Sequence, residues 1–184
     1  NIVGGSGQVE VHRPQQPPVH GAVVDSDNRL VLFGSFTQIR GVSVPRIARF
    51  NTDGTLDSTF NVGSGPVWSA RPGLTPRIES MAALPTGQLA VVGEFDQFNG
   101  VAARGFVILE ADGRVSAETP VDVVYERTGF PDTAVEVAAV SGNHLVLGGP
   151  FRQGNDVWPT AVTHLVRASV GVPVGIARQG AQLR

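Results

Sequence analysis

Cysteine and lysine are both missing from this chain of 184 residues. Without cysteine there is no disulfide and no thiolate metal site. Without lysine no glycine-rich phosphate loop is complete, because that motif needs the ammonium group. All fourteen basic residues are arginine, and Ala, Gly, Val and Pro are plentiful; this reads as the codon usage of a GC-rich bacterial genome. Charge is sparse at 16 % and the net charge is −2, which argues against general nucleic-acid binding by a basic surface. No apolar run approaches the length of a membrane-spanning helix. The opening residues, Asn1-Ile2-Val3-Gly4-Gly5, show neither an initiator Met nor a signal-peptide pattern. The chain is therefore expected to be a processed or excised piece, with any export signal lost.

What the chain does have is glycine, proline and repetition. Hydrophobic residues make up 41 %, enough for a globular core. With 23 Gly and 13 Pro, many turns and short strands are expected. Leu30-Val31-Leu32-Phe33-Gly34-Ser35-Phe36 returns as Leu89-Ala90-Val91-Val92-Gly93-Glu94-Phe95 and again as Leu145-Val146-Leu147-Gly148-Gly149-Pro150-Phe151. Gly-x-Phe thus recurs at 34, 93 and 149, in steps of 59 and 56 residues. Such a period marks a repeated supersecondary unit that cannot bury its apolar faces alone. The units run approximately over 8–65, 66–120 and 121–180.

Each unit predicts four antiparallel strands. The first are Val19 to Val24, Ile78 to Ala83 and Val135 to Val140, each followed by a polar turn. The second strand ends in Gly-x-Phe and is apolar at nearly every position, as in a strand covered on both faces. The third runs from Arg46 to Phe50, Gly105 to Leu109 and Ala161 to Val166. Asp53-Gly54 and Asp112-Gly113 then signal hairpins leading to a fourth strand at Thr55 to Phe60 and Arg114 to Ala117. Gly34, Gly93 and Gly149 predict a bulge or a close backbone approach. Phe36, Phe95 and Phe151 are expected to plug the gap between neighbouring sheets. The fold class is all-β: three four-stranded propeller-like blades, forming part of a propeller or one completed by another chain. A β-trefoil, also built of twelve strands, is the alternative.

The run from Asp27 to Phe36, then Gly41, then Ile47 to Asn61 resembles the bacterial delta-60 repeat, a propeller-type repeat of large exported proteins. The resemblance is close in the first unit, good in the second up to Asp112-Gly113, and reduced in the third to the Gly-x-Phe strand and its neighbours. It implies a β-propeller and export to the periplasm or beyond, and it carries no catalytic residue or cofactor.

Chemistry is thin. Asn51, Asp53 and Asp57 flank Gly54 with oxygen donors at a spacing that approaches a calcium loop, but Asp and Asn also occur in turns because they cap the backbone, and that is the reading adopted. His12, His20, His144 and His164 lack metal-ligand spacing, and no nucleophile elbow is present. The segments that interrupt the repeat are better candidates, since insertions on repeat scaffolds carry binding. They are Val11 to Pro18, Pro66 to Arg77, Tyr125 to Thr133 and Gln153 to Pro159. The interface candidates within them are Trp68, Arg71, Arg77, Tyr125, Arg127, Phe130 and Trp158, residue types that anchor interfaces. No catalytic, metal or cofactor residue is expected. The favoured expectation is a non-enzymatic exported scaffold or protein-binding subunit, an extracytoplasmic accessory to an envelope complex being one form of it. Its partner would be another subunit or a second copy. The alternatives are glycan or cell-surface ligand binding through Trp68 and Trp158, and a hydrolase or lyase with a site in a propeller channel.

Overall fold

The computed structural model describes residues 19–70, 72–103, 105–119, 136–141, 144–148 and 164–166. Among these there are only strands, turns and loops, with no helix. In the first unit β1 (Val19–Val24), β2 (Leu30–Gly34) and β5 (Ile47–Phe50) form one sheet, and β3 (Gln38–Ile39) and β4 (Val42–Ser43) form a small hairpin between β2 and β5. β6 (Pro66–Val67) follows. The second unit repeats the plan with β7 (Arg77–Ala83), β8 (Leu89–Glu94) and β11 (Phe106–Leu109) in the main sheet, and β9 (Gln97–Phe98) and β10 (Val101–Ala102) in the hairpin. β6 adds to β9 as a third strand. β12 (Val137–Ser141), β13 (His144–Gly148) and β14 (His164–Val166) make the third sheet. Every pairing among the described residues is antiparallel.

The first two units share a backbone hydrogen-bond scheme, shifted by 59 residues. Gly34 N–H donates to Arg46 C=O at 3.0 Å, as Gly93 N–H does to Gly105 C=O. Asp57 N–H donates to Arg49 C=O at 2.8 Å, as Ser116 N–H does to Ile108 C=O. Arg46 and Gly105 both have positive φ, 70° and 77°, so the repeat demands a left-handed residue there even where arginine occupies it.

The sheets stack face to face. β7 lies against β1 and β2 on one side and against β12 on the other. The two-residue periodicity of strands sorts the second sheet's side chains between two cores. Leu89, Val91, Val107 and Leu109 face the first sheet, where they meet Val31, Phe33 and Ile47. Ala90, Val92, Phe106 and Ile108 face the third sheet, where they meet Ala138, Leu145 and Leu147. This is why β8 reads as a continuous apolar run: Leu89 to Val92 are all buried. The stack differs from the barrel that the trefoil alternative requires.

The fourth strand is reduced. Thr55 to Phe60 and Arg114 to Ala117 each contribute a single bridge, Phe50 to Leu56 and Leu109 to Val115. The physical reason is local competition from side chains. The Asp53 carboxylate accepts the Thr55 N–H and the Asp57 carboxylate accepts the Thr59 N–H, both at 2.9 Å. Those donors are thereby lost to a ladder.

The expected bulge is present twice. The register slips between Val19 and Gly21 opposite Gly34, and between Ile78 and Ser80 opposite Gly93. Phe95 is fully buried and meets Phe98 edge-on, with ring centroids 5.8 Å apart. Phe36 is buried against Val44 and Ala48 on the outer face of the first sheet. Gly149 and Phe151 lie outside the described residues.

Candidate functional site

The loop between β6 and β7 is built at the Gly-x-Phe end of the sheets and is held at both ends. The Asp96 carboxylate, just past β8, accepts the amides of Ser69 at 2.6 Å and Ala70 at 2.7 Å, and the Ser69 hydroxyl at 3.2 Å. Asp96 N–H donates to Val67 C=O at 3.1 Å. At the other end, Arg46 Nε of the first unit donates to Pro76 C=O at 3.1 Å. Burial lowers the pKa of the Arg46 guanidinium from its ordinary value. The loop is therefore tied to both sheets, and a loop ordered in advance loses less entropy on binding.

Two hairpin tips share that end. Arg40-Gly41 and Asn99-Gly100 both have positive φ at the two central residues (50° and 81°; 47° and 77°), the signature of a type I′ turn. Each turn lifts a valine outward: Val42 is 51 % exposed and Val101 44 %. Leu74, in the loop, is 52 % exposed.

Among the predicted interface residues, Trp68 and Arg77 fall on this loop, both partly buried. Trp68 directly follows β6, and Arg77 opens β7 opposite Glu94. Arg71, Tyr125, Arg127, Phe130 and Trp158 lie outside the described residues. Sequence reasoning missed Asp96, Arg46, Val42, Leu74 and Val101. The Asn99-Gly100 pair was the available signal for one hairpin; nothing in the local sequence links Asp96 to Ser69, 27 residues away.

At the opposite end of the first two sheets, the Asp-rich turns carry a buried charge cluster. Arg49 Nε donates to Asp57 at 2.8 Å, and its Nη1 lies 3.5 Å from Asp25. The Arg49 guanidinium also donates to Ala111 C=O of the second unit and stacks 4.5 Å over the Phe60 ring. Arg29 closes the cluster through Asp25 at 2.9 Å. Asp25, Arg49 and Asp57 are all buried. The oxygens of Asn51, Asp53 and Asp57 do not converge as cation ligands. Asp53 and Asp57 cap the turns described above, Asp57 is taken by Arg49, and the Asn51 side-chain amide donates to the Thr55 hydroxyl at 3.0 Å. No cluster of three His, Cys, Asp or Glu able to hold a metal occurs among the described residues. The geometry is a clamp between sheets.

Burial works to raise the Asp57 pKa, but the Thr59 hydroxyl and amide and the Arg49 guanidinium outweigh it, and the net shift is downward. A carboxylate with a depressed folded-state pKa stabilises the fold above its unfolded value, about 4, and that contribution disappears as the pH falls through the folded value. The urea midpoint of the wild-type chain is therefore expected to exceed that of Asp57→Asn most at neutral pH, with the gap closing below about pH 4. A gap independent of pH across that window would contradict the assignment.

Comparison with known families matches residues 26–60 to a family described as a domain of unknown function (DUF5122) beta-propeller. The match spans β2 to β5 and both Asp-rich turns of the first unit. No curated protein and no solved structure matches the chain.

Proposed function

We propose that the chain is a non-enzymatic β-propeller scaffold of the bacterial envelope, exported, which docks another protein through the hairpin end of its blades. In this reading the three stacked sheets are blades, the first two with a fourth strand reduced to a single bridge each, and the repeat is of the delta-60 kind. The observation that supports it best is the grouping at one end of Val42, Leu74 and Val101 on supports tied down by Asp96 and Arg46. Apolar side chains presented on ordered turns suit a protein surface better than a small polar substrate. Trp68 at the base of the loop supplies the aromatic anchor that interfaces favour.

The test is isolation of the native protein from an envelope fraction, beside a triple variant with Val42→Asp, Leu74→Asp and Val101→Asp. Exposed substitutions of this kind each change stability by about 0.5 kcal/mol or less, so the variant is expected to fold. The wild type should carry a stoichiometric protein partner and the variant should lose it. Absence of any such partner, or its retention by the variant, would sink this reading. A glycan signal abolished by Trp68→Ala with no protein bound would shift the assignment to carbohydrate recognition.

A further inference from the structure

The two ends of the stack are unlike, and each matches a surface that is already covered elsewhere in the chain. The first sheet packs its forward face, with Val31, Phe33 and Ile47, on the backward face of the second. The second sheet then packs its forward face, with Ala82, Ala90 and Val92, on the third. The same step is taken twice, which among the described residues leaves a backward face on the first sheet and a forward face on the third.

An offset of 59 residues between the first two sheets, and of 57 between β7 and β12, pairs these surfaces position by position. On the backward face Leu89 is 1 % exposed, while its counterpart Leu30 is 41 % exposed. Val91 and Leu109 are fully buried, while their counterparts Leu32 and Phe50 are only half-buried. Val24, equivalent to the partly buried Ala83, is 56 % exposed. On the forward face of the third sheet Val137, equivalent to Ser80, is 52 % exposed. Ser80 itself is engaged across its junction, bonding the Ala138 amide at 3.2 Å. Ala139 is exposed where its counterpart Ala82 is buried.

We infer that two copies of this chain join head to tail, the backward face of β1-β2-β5 in each receiving the forward face of β12-β13-β14 of the other. This rests on the blade reading above. A second copy is the occupant because it presents the forward face of a sheet built on the same repeat, the surface type that covers the backward faces of the second and third sheets. Repeating the step gives six sheets in two chains, within the usual four to eight of a closed propeller. Each junction joins unlike faces, and closure of the two junctions about a two-fold axis is what prevents the contact from extending into a filament.

Sedimentation velocity and light scattering on the full chain test it. A discrete species of twice the chain mass is expected. Leu30→Glu and Val137→Arg, at opposite ends of the stack, should each yield monomer with wild-type circular dichroism. Mixing the two variants should restore the two-chain species, because one junction is then intact and the other joins opposite charges. If Leu30→Glu fails to fold, Val24→Glu on the same face takes its place. A wild-type monomer at every concentration, a ladder of larger species, or pairing that survives either substitution would overturn the inference. Partner retention measured on the same variants keeps the two proposals apart: monomers that still hold the envelope partner leave the docking reading standing and remove only the ring.

Discussion

Gly93→Ala is expected to lower stability by about 3 kcal/mol, at the upper end of what an added methyl costs in a packed interior. A Cβ at Gly93 would lie 2.1 Å from the Arg77 carbonyl oxygen, 2.9 Å from Ile78 Cα and 3.0 Å from the Arg77 carbonyl carbon. All three atoms are backbone, so no side chain can swing aside to relieve the clash. The contact arises because the chain bulges between Ile78 and Ser80, pressing β7 onto β8 opposite this glycine. Relief would have to part the two strands at the centre of the stack, where β7 also meets β1 and β12. For a domain of this size the loss corresponds to roughly 6–12 °C in melting temperature. Gly41→Ala provides the control. Gly41 has φ +81°, and no atom lies within 4 Å of the place an alanine Cβ would take there. Only the left-handed backbone penalty applies, about 1 kcal/mol. Urea denaturation of both variants should rank Gly93→Ala well above Gly41→Ala; equal losses would mean that close approach is not what the Gly-x-Phe glycine provides.

The same position shows how far sequence reasoning reaches. Gly93 is legible as a bulge site because glycine interrupts an otherwise apolar strand at a fixed place in each unit. β8 is legible as doubly covered because nothing polar breaks the run from Leu89 to Val92. Two kinds of feature stay hidden. The hairpins β3-β4 and β9-β10 read as loops: each has only two residues per strand, too few for a period-2 pattern to register, and Arg40 occupies a left-handed position where glycine or asparagine would have advertised the turn. The fourth strand reads as longer than it is because Thr55 to Phe60 has strand-like composition, whereas Asp53 and Asp57 divert its donors. The candidate site was half legible for a similar reason. Trp68 and Arg77 stand out by residue type, but the ties that order their loop run to Asp96 and Arg46, 26 to 30 residues distant, and no local pattern records a partner at that range.

Arg49 is the clearest such case, and the prediction that follows from it is the largest. Within Ile47-Ala48-Arg49-Phe50 the arginine looks like a solvent-facing break in a strand. It is instead 3 % exposed, on the side of the sheet that meets the second unit. Arg49→Ile is expected to cost about 3–5 kcal/mol, because Asp57 would remain buried without its nearest counter-charge and Asp25 would keep only Arg29. The loss also includes the bond to Ala111 and the stacking on Phe60. The second unit shows how the same place is filled without charge: Leu84, Ile108 and Ser116 stand where the first has Asp25, Arg49 and Asp57. Replacing a buried ionic group by fitting neutral residues is often neutral or stabilising. The triple variant Asp25→Leu, Arg49→Ile, Asp57→Ser is therefore expected to recover most of the loss, ending within about 1 kcal/mol of wild type. It should also lack the acid-dependent fall in stability assigned to Asp57. Urea denaturation of the single and triple variants at neutral pH decides the matter. A triple variant no more stable than Arg49→Ile alone would show that the cluster contributes net stability that a neutral core cannot replace, and that the two units are not interchangeable at this position of the sheet, which meets the second sheet in one unit and the third in the other.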